Sequence, residues 1–106
     1  MKLYRHGDIL LKKVSVAPKA AREVVRGQRY VVAEGEVTGH FHELTCPEAT
    51  GIRVLEHEMR RYLELSDTCQ LRHQEHHELR IEPGVYEIVT EREWDYADEE
   101  MKKVVD

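Results

Sequence analysis

Apolar and polar residues alternate with a short period along most of this chain, and turn-forming residues break the pattern often. Residues 8–16, DILLKKVSV, are rich in branched apolar side chains and follow Gly7, which predicts a strand. Residues 17–28 read as a loop with room for one helical turn, ending at Gly27. Residues 29–35, RYVVAEG, predict a strand that stops at Gly35, and residues 40–45, HFHELT, one that stops at Cys46-Pro47. Residues 52–58 and 60–66 flank a tight connection at Glu58-Met59. In residues 78–84, Leu79 and Ile81 fall on one face and Glu78, Arg80 and Glu82 on the other. Residues 85–93 follow Pro83-Gly84, so these two runs are expected to form a hairpin. Only residues 95–106 carry a helical signature, with acidic residues first and Lys102-Lys103 last; they form a short C-terminal helix or a frayed end. About seven short strands at this spacing predict an all-β fold, a small barrel or sandwich with residues 1–106 as one domain.

Composition narrows the function classes. The chain of 106 residues is 41% hydrophobic and 35% charged, enough for one core and too little for two. The net charge of -5 provides no broad basic footprint, so nucleic acid is not the expected partner. Arg53, Arg60, Arg61, Arg72 and Arg80 alternate with glutamates, a pattern of salt-bridged strand surfaces. Two cysteines, Cys46 and Cys69, are too few for a disulfide framework and form no CxxC pair, so they read as reduced thiols. The opening MKLYRHGDILLKKV lacks the form of a signal peptide, and no apolar run approaches the ~20 residues of a membrane span. A cytoplasmic setting without membrane contact is the expectation.

Seven histidines carry the candidate chemistry. On a strand, His40 and His42 share a face and Phe41 points away, so two imidazoles at i and i+2 are close enough to hold one metal ion. Solvated strand histidines are the alternative. The segment HQEHH adds His73, His76 and His77 with Glu75. If it turns, His73 and His76 face the same way; if it is extended, His73, Glu75 and His77 do. Two clusters, each leading into a strand, point to a metal site built from His40, His42, His73 and His76. Such a nitrogen-rich, thiolate-poor set suits Zn, Fe, Ni or Mn. His6 reads as a capping or turn residue and a reserve ligand, and His57 as a solvated strand residue. Glu43 is a candidate general base or supporting group, but a strand would turn it away from His40 and His42. Trp94 reads as closing the barrel end. No phosphate-binding glycine loop, nucleophile elbow or HExxH is present.

The segments GDILL, AEGEVTGHFHEL, HQEHHELRIEPGVYEI, EREW and KKVVD follow an order that resembles a family of small uncharacterised bacterial and phage proteins. That resemblance favours His40, His42, His73 and His76 as paired positions and implies no known activity. A wider resemblance is to cupins, through Gly35, His40, His42, Glu48 and Gly51 followed by a later His. Here the Glu comes late and Gly51 too soon after it, so cupins supply an architectural analogy only. Two readings follow: a metal-binding β-barrel with catalytic capacity, hydrolysis and dioxygen chemistry being the classes to test, or a non-catalytic binding or assembly module. A small-molecule ligand is compatible with either, and exposed strand edges with a small core favour a homo-oligomer.

Overall fold

The computed structural model describes residues 3–7, 9–34, 41–74 and 77–90. Among them are ten strands: β1 (Leu3–His6), β2 (Ile9–Val14), β3 (Arg22–Gly27), β4 (Arg29–Glu34), β5 (Phe41–Thr45), β6 (Ile52–His57), β7 (Arg60–Leu65), β8 (Cys69–Arg72), β9 (Leu79–Ile81) and β10 (Gly84–Thr90). They form two antiparallel sheets, one in the order β1-β2-β10-β7-β6-β3 and the other β4-β5-β8-β9. The all-β expectation holds in its sandwich form. Neither sheet closes into a barrel, and no helix occurs among the described residues. Residues 95–106 and Trp94 lie outside the described residues.

The inward positions of both sheets make one core. Ile9, Leu11, Leu63, Tyr86 and their neighbours face it from the larger sheet; Val32, Leu44, Leu71 and Ile81 face it from the smaller. Burying a side chain of this size contributes roughly 1.5–3 kcal/mol. Tyr86 is fully buried, yet its hydroxyl donates to the Glu82 carbonyl at 2.7 Å, so its polar end is satisfied. A second cluster, Ala17, Leu55 and Tyr62, packs with Val14, Ala21 and Val85.

Three local expectations change. Residues 22–27 form β3 and not a loop. They lie at the edge of the larger sheet and are mostly exposed, which hides the period of two. His6 is not a turn residue: it ends β1 and is 3% exposed. The hairpin expected across Pro83-Gly84 does not form. β9 pairs with β8 in one sheet, while β10 lies between β2 and β7 in the other. Pro83 has no N–H to donate, and Gly84 takes φ +151°, a backbone that favours glycine. The segment therefore carries the chain from sheet to sheet.

The connection at Glu58-Met59 is as tight as expected. His57 pairs with Arg60, and Glu58 and Met59 both adopt positive φ, 49° and 67°. This is the primed turn whose twist suits a two-residue hairpin, made here without glycine.

Candidate functional site

The smaller sheet builds the site through its register. β5 and β8 pair as Glu43↔Arg72, Leu44↔Leu71 and Thr45↔Gln70. One step further in one direction sets His42 opposite His73; one step in the other sets Cys46 opposite Cys69. Residues two apart share a face, so the inward face of this strand pair reads His42–His73, Leu44–Leu71, Cys46–Cys69. The His42 and His73 ring centroids are 4.3 Å apart. Between Val31 and Ala33 the β4–β5 register shifts, which brings Ala33 opposite His42. Arg61 of β7 donates to the Val32 carbonyl at 2.8 Å and to the Tyr30 hydroxyl at 2.6 Å, joining the two sheets beside this bulge.

His6 arrives from β1, at the edge of the other sheet. Its Nδ1 lies 2.9 Å from Nδ1 of His42, and its Nε2 lies 2.8 Å from the His77 carbonyl oxygen. A carbonyl only accepts, so His6 donates through Nε2–H. In the neutral ring Nδ1 then carries the lone pair, and His42 donates to it through its own Nδ1–H. The contact is incompatible with protons on both Nδ1 atoms. His42 is 1% exposed, so the pair is enclosed; ring centroids of His6 stand 5.0 Å from His42 and 6.3 Å from His73. Burying two imidazoles is costly unless their polar atoms find partners, which explains the mutual contact and the backbone anchor.

Of the four expected ligands, His42 and His73 come together. His40 and His76 lie outside the described residues, as does Glu75. His6, expected only as a reserve, is the histidine whose ring nitrogen lies within hydrogen-bond distance of His42. Leu3–His6 reads Leu-Tyr-Arg-His, which does not alternate, so no local signal marked His6 as an inward residue. His77 is exposed and contributes its carbonyl, and His57 is partly exposed near the Glu58 carboxylate at 3.6 Å. Glu43 turns outward, as a strand requires, and binds Arg29 through contacts of 3.1 and 3.2 Å. It is therefore not a base for the histidines. Among the described residues no group of three or more His, Cys, Asp or Glu side chains is arranged to hold a metal ion.

The surroundings are polar on the outside. A groove of about 220 Å³ runs past Phe41, Glu43, Arg72, His73 and Gln74. The Gln74 side-chain oxygen accepts from the Phe41 N–H at 2.9 Å, tying the start of β5 to the segment after β8. The salt-bridged strand surface is present in part: Arg53 binds Glu23 at 2.6 Å and Glu64 at 2.8 Å, Arg72 binds Glu78 at 2.8 Å and Arg60 approaches Glu87 at 3.9 Å, whereas Arg61 departs from it and bonds Tyr30 and the Val32 carbonyl.

A family model described as a domain of unknown function, DUF8820, matches residues 5–91. The chain belongs to this family. The DUF8820 span contains His6, His42, His73, Cys46 and Cys69, so the whole inward ladder lies within it. Neither the curated proteins nor the solved structures contain a match to the chain. No helix among the described residues is long and apolar enough to cross a membrane.

Proposed function

We propose that this DUF8820 domain binds a divalent transition metal at the end of the sandwich where His6, His42 and His73 converge. The observation that carries the reading is the 2.9 Å contact between Nδ1 of His6 and Nδ1 of His42. Two imidazole nitrogens at that separation can share a metal ion in place of a proton. With bonds of about 2.1 Å the angle at the metal is about 90°, as in octahedral sites; opening the pair by about 0.5 Å reaches the tetrahedral edge. The His77 carbonyl on the far nitrogen of His6 is the kind of outer contact that orients a metal-binding imidazole. His73 stands beside His42, and the two histidine clusters of the sequence add His40 and His76 as the candidates for the remaining donors. Zn, Fe, Ni and Mn all accept such a nitrogen-rich shell. A ligand small enough for the groove beside His73 reaches the ion from outside.

The competing reading is a non-catalytic module in which the histidines form a hydrogen-bonded polar cluster. The neutral tautomers above satisfy the pair without a metal, which favours this reading over one with loose histidines. In either case we place the protein in the cytoplasm, because Cys46 and Cys69 are both free. A homo-oligomer through the edge strands β3 and β4 is compatible with both, since Val24 and Val31 on those edges are 40% and 44% exposed.

Metal content of untagged protein purified without nickel resin tests the reading. Near-stoichiometric Zn, Fe, Ni or Mn that is lost in His42→Ala supports it. Absence of metal, with no thermal stabilisation on adding any of the four ions, establishes the polar-cluster reading instead.

A further inference from the structure

We propose that Cys46 and Cys69 are a reversible disulfide-forming pair that can lock β5 to β8. The proposal is independent of metal binding. Both cysteines are free and buried. The β5–β8 register, carried one step beyond Thr45↔Gln70, sets them directly opposite each other. The Cys46 N–H donates to the Gln28 carbonyl at 2.8 Å, away from β8. Cys46 and Cys69 therefore occupy a non-hydrogen-bonded position of the antiparallel pair, where facing Cα atoms stand about 4.5 Å apart and side chains are closest. That spacing falls inside the ~4.4–6.8 Å window in which a disulfide closes without moving the backbone. The Cys69 thiol donates to the Asp67 carbonyl at 3.4 Å, and the neighbouring Cys46 is one of the groups that raise its pKa.

The two thiols are not equivalent. Cys46 lines an open groove of about 570 Å³ with Thr45, Pro47, Thr68 and Arg80, whereas Cys69 is fully buried. Burial, and then the neighbouring Cys46 sulfur, push the Cys69 thiol well above its ordinary value. Cys46, 6% exposed and bordering that groove, is the more accessible of the two and is assigned the first contact with an external oxidant.

The oxidant class is a low-molecular-weight disulfide. The Cys46 thiolate attacks one of its sulfurs, a mixed disulfide forms, and the first small thiolate leaves and takes up a proton. The Cys69 thiolate then attacks the Cys46 sulfur of the mixed disulfide, the Cys46–Cys69 bond forms, and the second small thiol leaves. Two electrons and two protons pass from the cysteine pair to the external disulfide, which is reduced to two thiols. The second step is slowed by the raised Cys69 thiol, so closure quickens as pH rises.

The test holds the full chain in a defined buffer of oxidised and reduced glutathione, once native and once in urea. Thiols are trapped by acid and alkylation, and peptides are mapped by mass spectrometry. The expected result is an intramolecular Cys46–Cys69 peptide in the native protein, oxidised to a larger fraction than in urea at the same redox ratio. Cys69→Ser should stop the reaction at a mixed disulfide on Cys46. An oxidised fraction no larger in the native protein than in urea, measured after the ratio stops changing, overturns the proposal. So does a product consisting only of intermolecular dimers.

Discussion

A double-mutant cycle across His6 and His42 probes the site without invoking a metal. His6→Ala removes a ring that is 3% exposed, its 2.9 Å contact to His42 and its 2.8 Å contact to the His77 carbonyl. A buried polar group deprived of its partner costs about 1–3 kcal/mol. Lost packing of the ring adds about 1 kcal/mol. His6→Ala is therefore expected to cost about 2–4 kcal/mol, a large share of a domain stability of about 5–15 kcal/mol. His42→Ala, at 1% exposure, also loses its 4.3 Å contact with His73 and should cost a similar amount. With the Nδ1–Nδ1 hydrogen bond lost in either single variant, the double mutant costs less than the sum of the singles by about 1 kcal/mol, the net worth of one buried hydrogen bond. Urea unfolding with a chelator present, near pH 8 where ordinary imidazoles are neutral, measures the three variants. Additivity within about 0.3 kcal/mol would refute the contact and the tautomers drawn from it. Repeating the cycle with metal at about 100 times its dissociation constant should add about 2.7 kcal/mol to the wild type alone.

Met59→Gly should stabilise the protein by about 1 kcal/mol, because Met59 is fully exposed and held at φ 67°, and a rise in the urea midpoint checks it. Gly51→Ala should destabilise by about 1–3 kcal/mol, since an added methyl overlaps the Cys46 sulfur; Gly51→Ala in a Cys46→Ala background should recover most of that loss. The Glu23 carboxyl is held below its ordinary value of 4.5 by hydrogen bonds from Arg26 and then Arg53. Its contribution is complete above that value and is lost as pH falls through the lower folded one, so an NMR titration should find Glu23 among the more acidic glutamates. A Glu23 titration at or above the ordinary value would contradict the Arg26 and Arg53 geometry.

Runs such as 52–58 and 60–66 were legible because alternation is a property of a strand's own backbone, which sends successive side chains to opposite faces. Glu43 was read as turned away from His42, and Ile81 as on the face opposite Arg80; Glu43 binds Arg29 instead, and Ile81 is buried while Arg80 is exposed. The histidine clusters also stood out locally. Their partners did not. His42 meets His6 across 36 residues, and it meets His73 only through the β5–β8 register. Neither relation leaves a trace in the spacing of the clusters. β3 escaped notice because an exposed edge strand need not alternate, and the hairpin at Pro83-Gly84 was expected because turn residues announce a reversal without saying which sheet receives the next strand. Ile81 and Tyr86 enter one core from opposite sheets. Short-range order thus follows from the chain's own geometry. Which strands pair, and so which histidines and thiols face each other, is decided by burying all the inward faces at once.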